Sequence, residues 1–252
     1  MTAKFLDLKD APVFITGGGS GIGAALTEGF VAQGAKVAFC GRSDYSDFAE
    51  KLGAEHGNKP LFLQCDVTDT DALRDAMEEA QRRNGPLRVQ VNNAANDQRY
   101  RPEEVTPKIW DDMLAVNLKH FFFASQKAAE LMEHGGSIIN YSSISYMIGE
   151  ELLSPYTAAN SAMIGMTRSL SRAWGKRGIR VNCIAPGWVM TEKQKEKWAT
   201  EEALAEHKKR QCLPDLMQPE DMVGPTLFLA SDASKAMTAQ MMIVDAGVVG
   251  TG

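Results

Sequence analysis

Apolar residues along this chain fall into two alternating rhythms. Short, nearly continuous apolar runs lie at 13–16, 36–40, 60–65, 88–92, 137–141, 179–184 and 241–244. Between them run longer stretches with apolar positions three and four apart, at 21–33, 45–55, 70–83, 106–133, 155–176, 191–209 and 220–231. A continuous short run is what a strand shows when both faces are covered, and the three-and-four spacing is one buried face of a helix. Leu73, Met77 and Ala80 mark such a face, with Asp69 or Thr70 placed to cap it. Thr106 before Pro107 is a helix start, a capping hydroxyl followed by proline at the first helical position. Strand and helix alternating throughout predicts an α/β protein. The expected architecture is a single Rossmann-type doubly wound parallel sheet of about seven strands, with helices on both faces.

No linker, repeat or shift of composition interrupts 1–252, so the chain reads as one dinucleotide-binding and catalytic domain. Two segments stand outside the frame, a loop at 102–106 and the stretch 188–215, read as a mobile lid over a substrate. Charge narrows the function classes. The 27 Lys and Arg against 32 Asp and Glu give −5 with no polybasic block, which speaks against nucleic acid as a partner. No apolar run approaches the roughly 18 residues of a membrane span, and the first residues lack the apolar core of a signal peptide. A cytoplasmic protein is expected. Cys40, Cys65, Cys183 and Cys212 are widely scattered, with no CxxC and no histidine at ligand spacing. They read as small apolar side chains, three of them in strand runs, and no metal site is expected.

Directly after the first strand comes Thr16-Gly17-Gly18-Gly19-Ser20-Gly21-Ile22-Gly23, opening onto a helix. Glycines allow unusual dihedrals and close approach of a pyrophosphate, and the helix N-terminus offers free N–H groups and partial positive charge to it. This turn therefore points to a dinucleotide.

The spacing of that turn belongs to an ordered set. Asp66-Val67 follows the third strand and Asn92-Asn93-Ala94-Ala95 the fourth; Asn117 lies within a long helix, Ser143 thirteen residues before Tyr156, and Pro186-Gly187 precede Thr191. Over essentially its whole length the chain resembles the short-chain dehydrogenase/reductases. The resemblance implies a nicotinamide cofactor held by Gly17, Ser20, Gly21, Ile22 and Gly23, with Asp66 and Val67 at the adenine. It implies Asn93, Ala94 and Ala95 lining the nicotinamide half, and Pro186, Gly187, Val189 and Thr191 holding carboxamide and phosphates. It also implies catalysis by Ser143 and Tyr156: a tyrosinate accepts the hydroxyl proton while the serine hydroxyl bonds the substrate oxygen.

Two positions depart from the simplest pattern. An acid at the end of the second strand would bind the ribose 2′-hydroxyl and repel a 2′-phosphate. The chain has Cys40-Gly41-Arg42-Ser43 there, so Arg42 and Ser43 favour NADP, with NAD kept open through Asp44 one residue later. The second departure is chemical. Free tyrosine has a pKa near 10, and the family lowers it with a lysine four residues on, one turn down the helix. Here Asn160 stands in that place, able to donate to the nicotinamide ribose but carrying no charge. Three explanations are open: an introduced change, a natural variant activated by the oxidised nicotinamide or a nearby base, or a chain that has lost catalysis. Asn117, which in the family supports a water linked to the lysine's position, is retained. His120 and His134 are expected on helix surfaces and read as poor replacement bases.

For the substrate, Asn92 to Asp97 with Arg99, Trp110-Asp111 with Ala115 to Leu118, Gly136 to Asn140 with Ser143 to Ser145, and Gln211 to Leu213 before Gln218-Pro219 resemble bacterial aldose 1-dehydrogenases, including xylose dehydrogenases. That resemblance implies oxidation of an anomeric hydroxyl to a lactone. Asn96, Arg99, Ser145 and Tyr146 stand near C-terminal strand ends, where a sugar could be bound, and Trp188 could supply a flat face. Arg99 with Arg101 would also suit an acidic substituent on the sugar. Two other readings are carried forward: a carbonyl reductase acting on a 3-oxoacyl thioester or ketose, which Glu150, Glu151 and Glu192 disfavour for a carrier-bound acyl group, and a non-catalytic NADP-binding module. In related proteins the long helices at 106–133 and 155–176 pair between subunits, so a homotetramer is expected.

Overall fold

A computed structural model describes residues 3–250. Its centre is one seven-stranded parallel sheet in the order β3-β2-β1-β4-β5-β6-β7. The strands are β1 (Pro12–Thr16), β2 (Lys36–Gly41), β3 (Leu61–Gln64), β4 (Val89–Asn92), β5 (Gly136–Tyr141), β6 (Ile179–Pro186) and β7 (Met241–Val244). Seven strands were expected at these places, with ends shifted by at most two residues. The helices are α1 (Gly21–Ala32), α2 (Ser46–His56), α3 (Thr70–Asn84), α4 (Pro107–Leu114), α5 (His120–Leu131), α6 (Ser145–Ile148), α7 (Ser154–Trp174), α8 (Glu192–Lys197), α9 (Glu201–Arg210) and α10 (Val223–Ala230).

Alternation along each strand feeds two cores. Val13 and Ile15 of β1 pack with Leu26 and Phe30 of α1, Leu52 of α2 and Leu227 of α10. Phe14, between them, packs on the opposite face with Met77 of α3, Ala128 of α5 and Leu170 of α7. Side chains one residue apart on a strand point to opposite faces, so covering both faces demands the unbroken apolar runs seen in the sequence. The central strands also carry a polar ladder inside this core. Asn92 Nδ2 donates to Asn140 Oδ1 at 2.8 Å and to Ser125 Oγ at 3.0 Å, and Asn140 Nδ2 donates to Thr167 Oγ1 at 3.1 Å. Satisfied in this way, wholly buried asparagines need not be costly.

Three expected helices are divided. The stretch 106–133 is α4 and α5 joined by one π turn, Ala115–Lys119. The wider turn brings Asn117 to the inside, where its Nδ2 donates to the Met113 carbonyl at 2.9 Å. The stretch 191–209 breaks at Trp198–Thr200 into α8 and α9, because Thr200 begins a new helix by accepting from Ala203 N. The stretch 220–231 opens with a 3-10 turn, Pro219–Met222, before α10. His120, expected on a helix surface, is fully buried at the head of α5, and His134 is exposed beyond the end of that helix. The helix starts at α3 and α4 follow the sequence: Asp69 accepts from Asp71 N and Ala72 N, and Thr106 accepts from Ile109 N.

Strand order reverses between β1 and β4, and the crevice beyond their C-terminal ends is where a parallel sheet of this kind offers a ligand site.

Candidate active site

The glycine turn leaves β1 at this reversal. Gly17 and Gly21 have φ of +67° and +51°, a backbone that side chains rarely adopt. A Cβ on Gly17 would lie 2.9 Å from Ala94 Cα, and one on Gly23 would lie 1.9 Å from the Gly17 carbonyl oxygen. Thr16 Oγ1 accepts from Asn93 N and Ala94 N at 3.0 and 3.2 Å, and Asn93 Nδ2 reaches the Thr16 and Gly17 carbonyls. These bonds stitch the ends of β1 and β4 together. Ser20 is the N-cap of α1 but makes no side-chain cap bond, so the first amides of that helix are not taken up by it. Thin backbone and an uncapped helix start fit a pyrophosphate.

Along the same edge, Arg42 and Ser43 are exposed at the end of β2. Asp44 turns away to the start of α2, accepting from Ser46 N and Oγ at 2.9 and 2.6 Å, which holds its carboxyl below the usual range. Asp66 accepts from Thr68 N and Oγ1. Although burial pushes its pKa up, these bonds with Arg42 and His120 leave it lowered on balance. Val67 beside it is buried. Beyond β6, Gly187 N donates to the Val244 carbonyl and Ile144 N to the Pro186 carbonyl. Val189 is buried, and Thr191, which caps α8 through Gln194 N, stands where a Cβ on Gly21 would touch it. The expected cofactor residues thus line one continuous edge.

A cleft of about 390 Å³ opens beside that edge. Ser143, from the loop after β5, and Tyr156, in the first turn of α7, both line it. Burial first, and the Asp97 carboxylate second, push the Tyr156 phenol up to about 12, against a weaker downward pull from the nearby Ser143 and Asn160 side chains. Asn160 Nδ2 also donates back to the Tyr156 carbonyl at 2.8 Å, one helical turn away. Asn117 fixes the loop after β4 from both sides, its Oδ1 accepting from Asn96 N at 2.8 Å and its Nδ2 donating to the Asn96 carbonyl at 2.9 Å. Of the four expected catalytic residues, Ser143 and Tyr156 line the cleft, Asn160 sits one turn along α7 bonded to the Tyr156 backbone, and Asn117 stands behind the loop after β4.

Of the expected substrate residues, Arg99, Ser145 and Trp188 line the cleft, whereas the Asn96 side chain accepts from Lys193 Nζ at its edge. Arg101 is exposed outside it. The sequence reading gave no site role to Asp97, named there only within the resemblance, nor to Lys193, Gln194 and Trp198, which fall inside the expected lid. Lys193 Nζ bonds Asp97 Oδ1 at 2.6 Å, Gln194 Nε2 bonds Asp97 Oδ2 at 2.5 Å, and Trp188 Nε1 donates to Gln194 Oε1 at 2.8 Å. Burial opposes the charge on Asp97, yet the hydrogen bond and attraction from Lys193 hold its carboxyl below the usual range. Trp188 meets His207 edge-on at 5.2 Å, and Arg99 stacks over Trp198 at 4.1 Å. The signal for Asp97 was its place directly after Asn96 at a strand end; no local pattern marks Lys193, which arrives from nearly a hundred residues away.

Comparison with known proteins decides the class. Residues 17–249 match a family model described as enoyl-(acyl carrier protein) reductase. Over 251 residues, 98% of each chain, the sequence is 48% identical to a Rhizobium meliloti protein described as a probable galactose dehydrogenase, GalD. It is 41% identical over the same span to a D-xylose 1-dehydrogenase of Caulobacter vibrioides. The chain is a short-chain dehydrogenase/reductase. The short-chain dehydrogenase/reductase of Serratia marcescens superposes with a TM-score of 0.90 at 32% identity, covering 97% of this chain and 100% of that one. A metagenomic blue fluorescent protein in complex with NADPH does so with the same values. As a member of this family the chain is an NAD(P)-dependent oxidoreductase of the sugar and alcohol class. No helix among the described residues is long and apolar enough to cross a membrane.

Proposed function

We propose that this protein oxidises the anomeric hydroxyl of an aldose to a lactone, with NADP⁺ as the favoured cofactor. The observation that carries the reading is the placement of Ser143 and Tyr156 together in the lining of one cleft that also presents polar side chains, beside the edge that carries the glycine turn. Ser143 donates to the substrate oxygen and Tyr156 takes its proton, while C1 gives up a hydride. When bound, NADP⁺ supplies the hydride acceptor. Gly17 to Gly23, Asp66, Val67, Asn93 to Ala95 and Pro186 to Thr191 would hold it, with Arg42 and Ser43 on the 2′-phosphate. The diversion of Asp44 into the start of α2 supports that preference.

The missing lysine also favours this substrate class. An anomeric hydroxyl is a stronger acid than a simple alcohol, because the ring oxygen withdraws electrons from C1. A base activated less strongly suffices for it, whereas a plain secondary alcohol demands more. On this reading Asn160 is compatible with turnover, and the segment 188–215 closes over the sugar as a lid, with Trp188 on its apolar face.

The test is NADPH formation from D-galactose, D-xylose and a simple secondary alcohol. The account expects turnover of an aldose with the lactone as product, little with the alcohol, and a fall in NADP⁺ preference of about 10-fold or more in Arg42→Ala. Turnover confined to the reduction of 3-oxoacyl thioesters or ketoses would replace the aldose reading with a carbonyl reductase. Cofactor binding without turnover of either class would leave a binding module.

A further inference from the structure

The carboxylates lining the cleft are already matched by cations. Asp97 pairs with Lys193 at 2.6 Å, Glu206 with Lys209 at 3.1 Å and Glu150 with Arg210 at 3.8 Å. Arg99 lines the same cleft and, among the described residues, has no carboxylate partner and no hydrogen bond; its guanidinium only stacks over the Trp198 ring at 4.1 Å. A second observation points the same way. Trp198 Nε1 and Ser145 Oγ both belong to cleft-lining residues, and both are buried without a hydrogen-bond partner among the described residues. Indole N–H is a donor only, and guanidinium offers a planar fork of donors with none accepting. A half-buried, unmatched positive charge in a cleft whose carboxylates are all paired is the complement of an anion.

We propose that the Arg99–Trp198 corner is an anion subsite, and that the aldose oxidised at Ser143 and Tyr156 carries a carboxylate, phosphate or sulfonate away from C1. The inference rests on the aldose reading above. Arg99 comes from the loop after β4 and Trp198 from the break between α8 and α9, whereas the reacting pair comes from β5 and α7.

The experiment compares kcat/KM for matched pairs: D-galacturonate with D-galactose, and D-glucuronate, D-glucose 6-phosphate and 6-deoxy-6-sulfo-D-glucose with D-glucose. At least one anionic member should exceed its neutral partner by about 10- to 100-fold, as a charge-assisted bond predicts. Which arm wins distinguishes the three anions. Arg99→Met, which keeps the stem over Trp198, should bring that ratio to within about threefold of unity, mainly through KM, and Arg99→Lys should restore part of it. In the unaltered protein the ratio should fall when about 0.3 M KCl is added. A neutral sugar turned over as well as every anionic partner, or a ratio unmoved by both Arg99→Met and salt, overturns the subsite and leaves the aldose reading standing. Turnover of no aldose, neutral or charged, overturns the aldose reading and this inference with it.

Discussion

At the scale of single residues the proposed chemistry turns on Tyr156 and on Asn160 one helical turn away. Burial and the Asp97 carboxylate disfavour tyrosinate, and Asn160 brings no positive charge to oppose them. Dehydrogenation needs the phenolate, so its rate should rise with pH towards the phenol's pKa. A cation placed against the phenol should lower that pKa by about 1–3 units. Asn160→Lys is therefore expected to move the rising limb of the pH–rate profile down by a like amount, with the gain largest near neutral pH. A limb that stays in place would show that another group takes the proton. Tyr156→Phe should cost about 10²- to 10⁴-fold in kcat, measured with saturating aldose and cofactor. These positions were legible in the sequence because the glycine turn, Ser143, Tyr156 and Asn160 are fixed by short spacings. Asp97 and Lys193 were not, because their pairing joins a strand end to a distant helix and no periodicity records it.

At the scale of elements, the sequence foretold strands better than helix continuity. A strand covered on both faces leaves a short apolar run bounded by turn residues, whereas 106–133 keeps its helical spacing straight through the π turn. That turn carries Asn117 inward and sets His120 in the core. Burial pushes the His120 imidazole down to about 3, against partial relief from the backbone carbonyls of Ala115 and Val116. The unfolded chain binds a proton there near pH 6.5, so the stabilising neutral form is an advantage above that pH. As pH falls from 6.5 towards 3 this contribution should drain away by up to about 1.4 kcal/mol per unit. Denaturant melts of His120→Leu should show a shallower loss than the unaltered protein between pH 6.5 and 4; equal slopes would assign the acid sensitivity elsewhere. The break at Trp198–Thr200 has a different consequence. α8 is fastened to the sheet through Lys193 and Gln194 on Asp97, a partly exposed pairing of modest strength. Asp97→Asn should loosen it, raising tryptic cleavage among Lys193, Lys195 and Lys197 by about two- to fivefold. Unchanged cleavage would mean that 188–215 is held by its other contacts and does not act as a lid.

For the molecule as a whole, the doubly wound sheet was readable from the alternation of runs, whereas its strand order, with the reversal between β1 and β4, is set by tertiary packing that the runs do not record. What no sequence rhythm predicted was the polar ladder of Asn92, Asn140 and Thr167 inside the core, since each asparagine looks like an interruption until its cross-strand partner is known. The outer surface carries one more expectation. Trp110 on α4 and Phe122 on α5 are each 39% exposed, large apolar side chains on the helices that should pair between subunits. Light scattering should give four times the 27.5 kDa chain mass, and Phe122→Glu should yield smaller species. A monomer at micromolar concentration would remove these helices from any interface.

The most direct measurement follows the hydride itself. The protein would be given NADP⁺ and an aldose it turns over, labelled with deuterium at C1, and the products read by NMR. Oxidation at the anomeric carbon predicts deuterium at C4 of the reduced nicotinamide and an unlabelled lactone. Deuterium retained on the sugar, with NADPH formed all the same, would show that hydride leaves from another carbon and would contradict the proposed reaction.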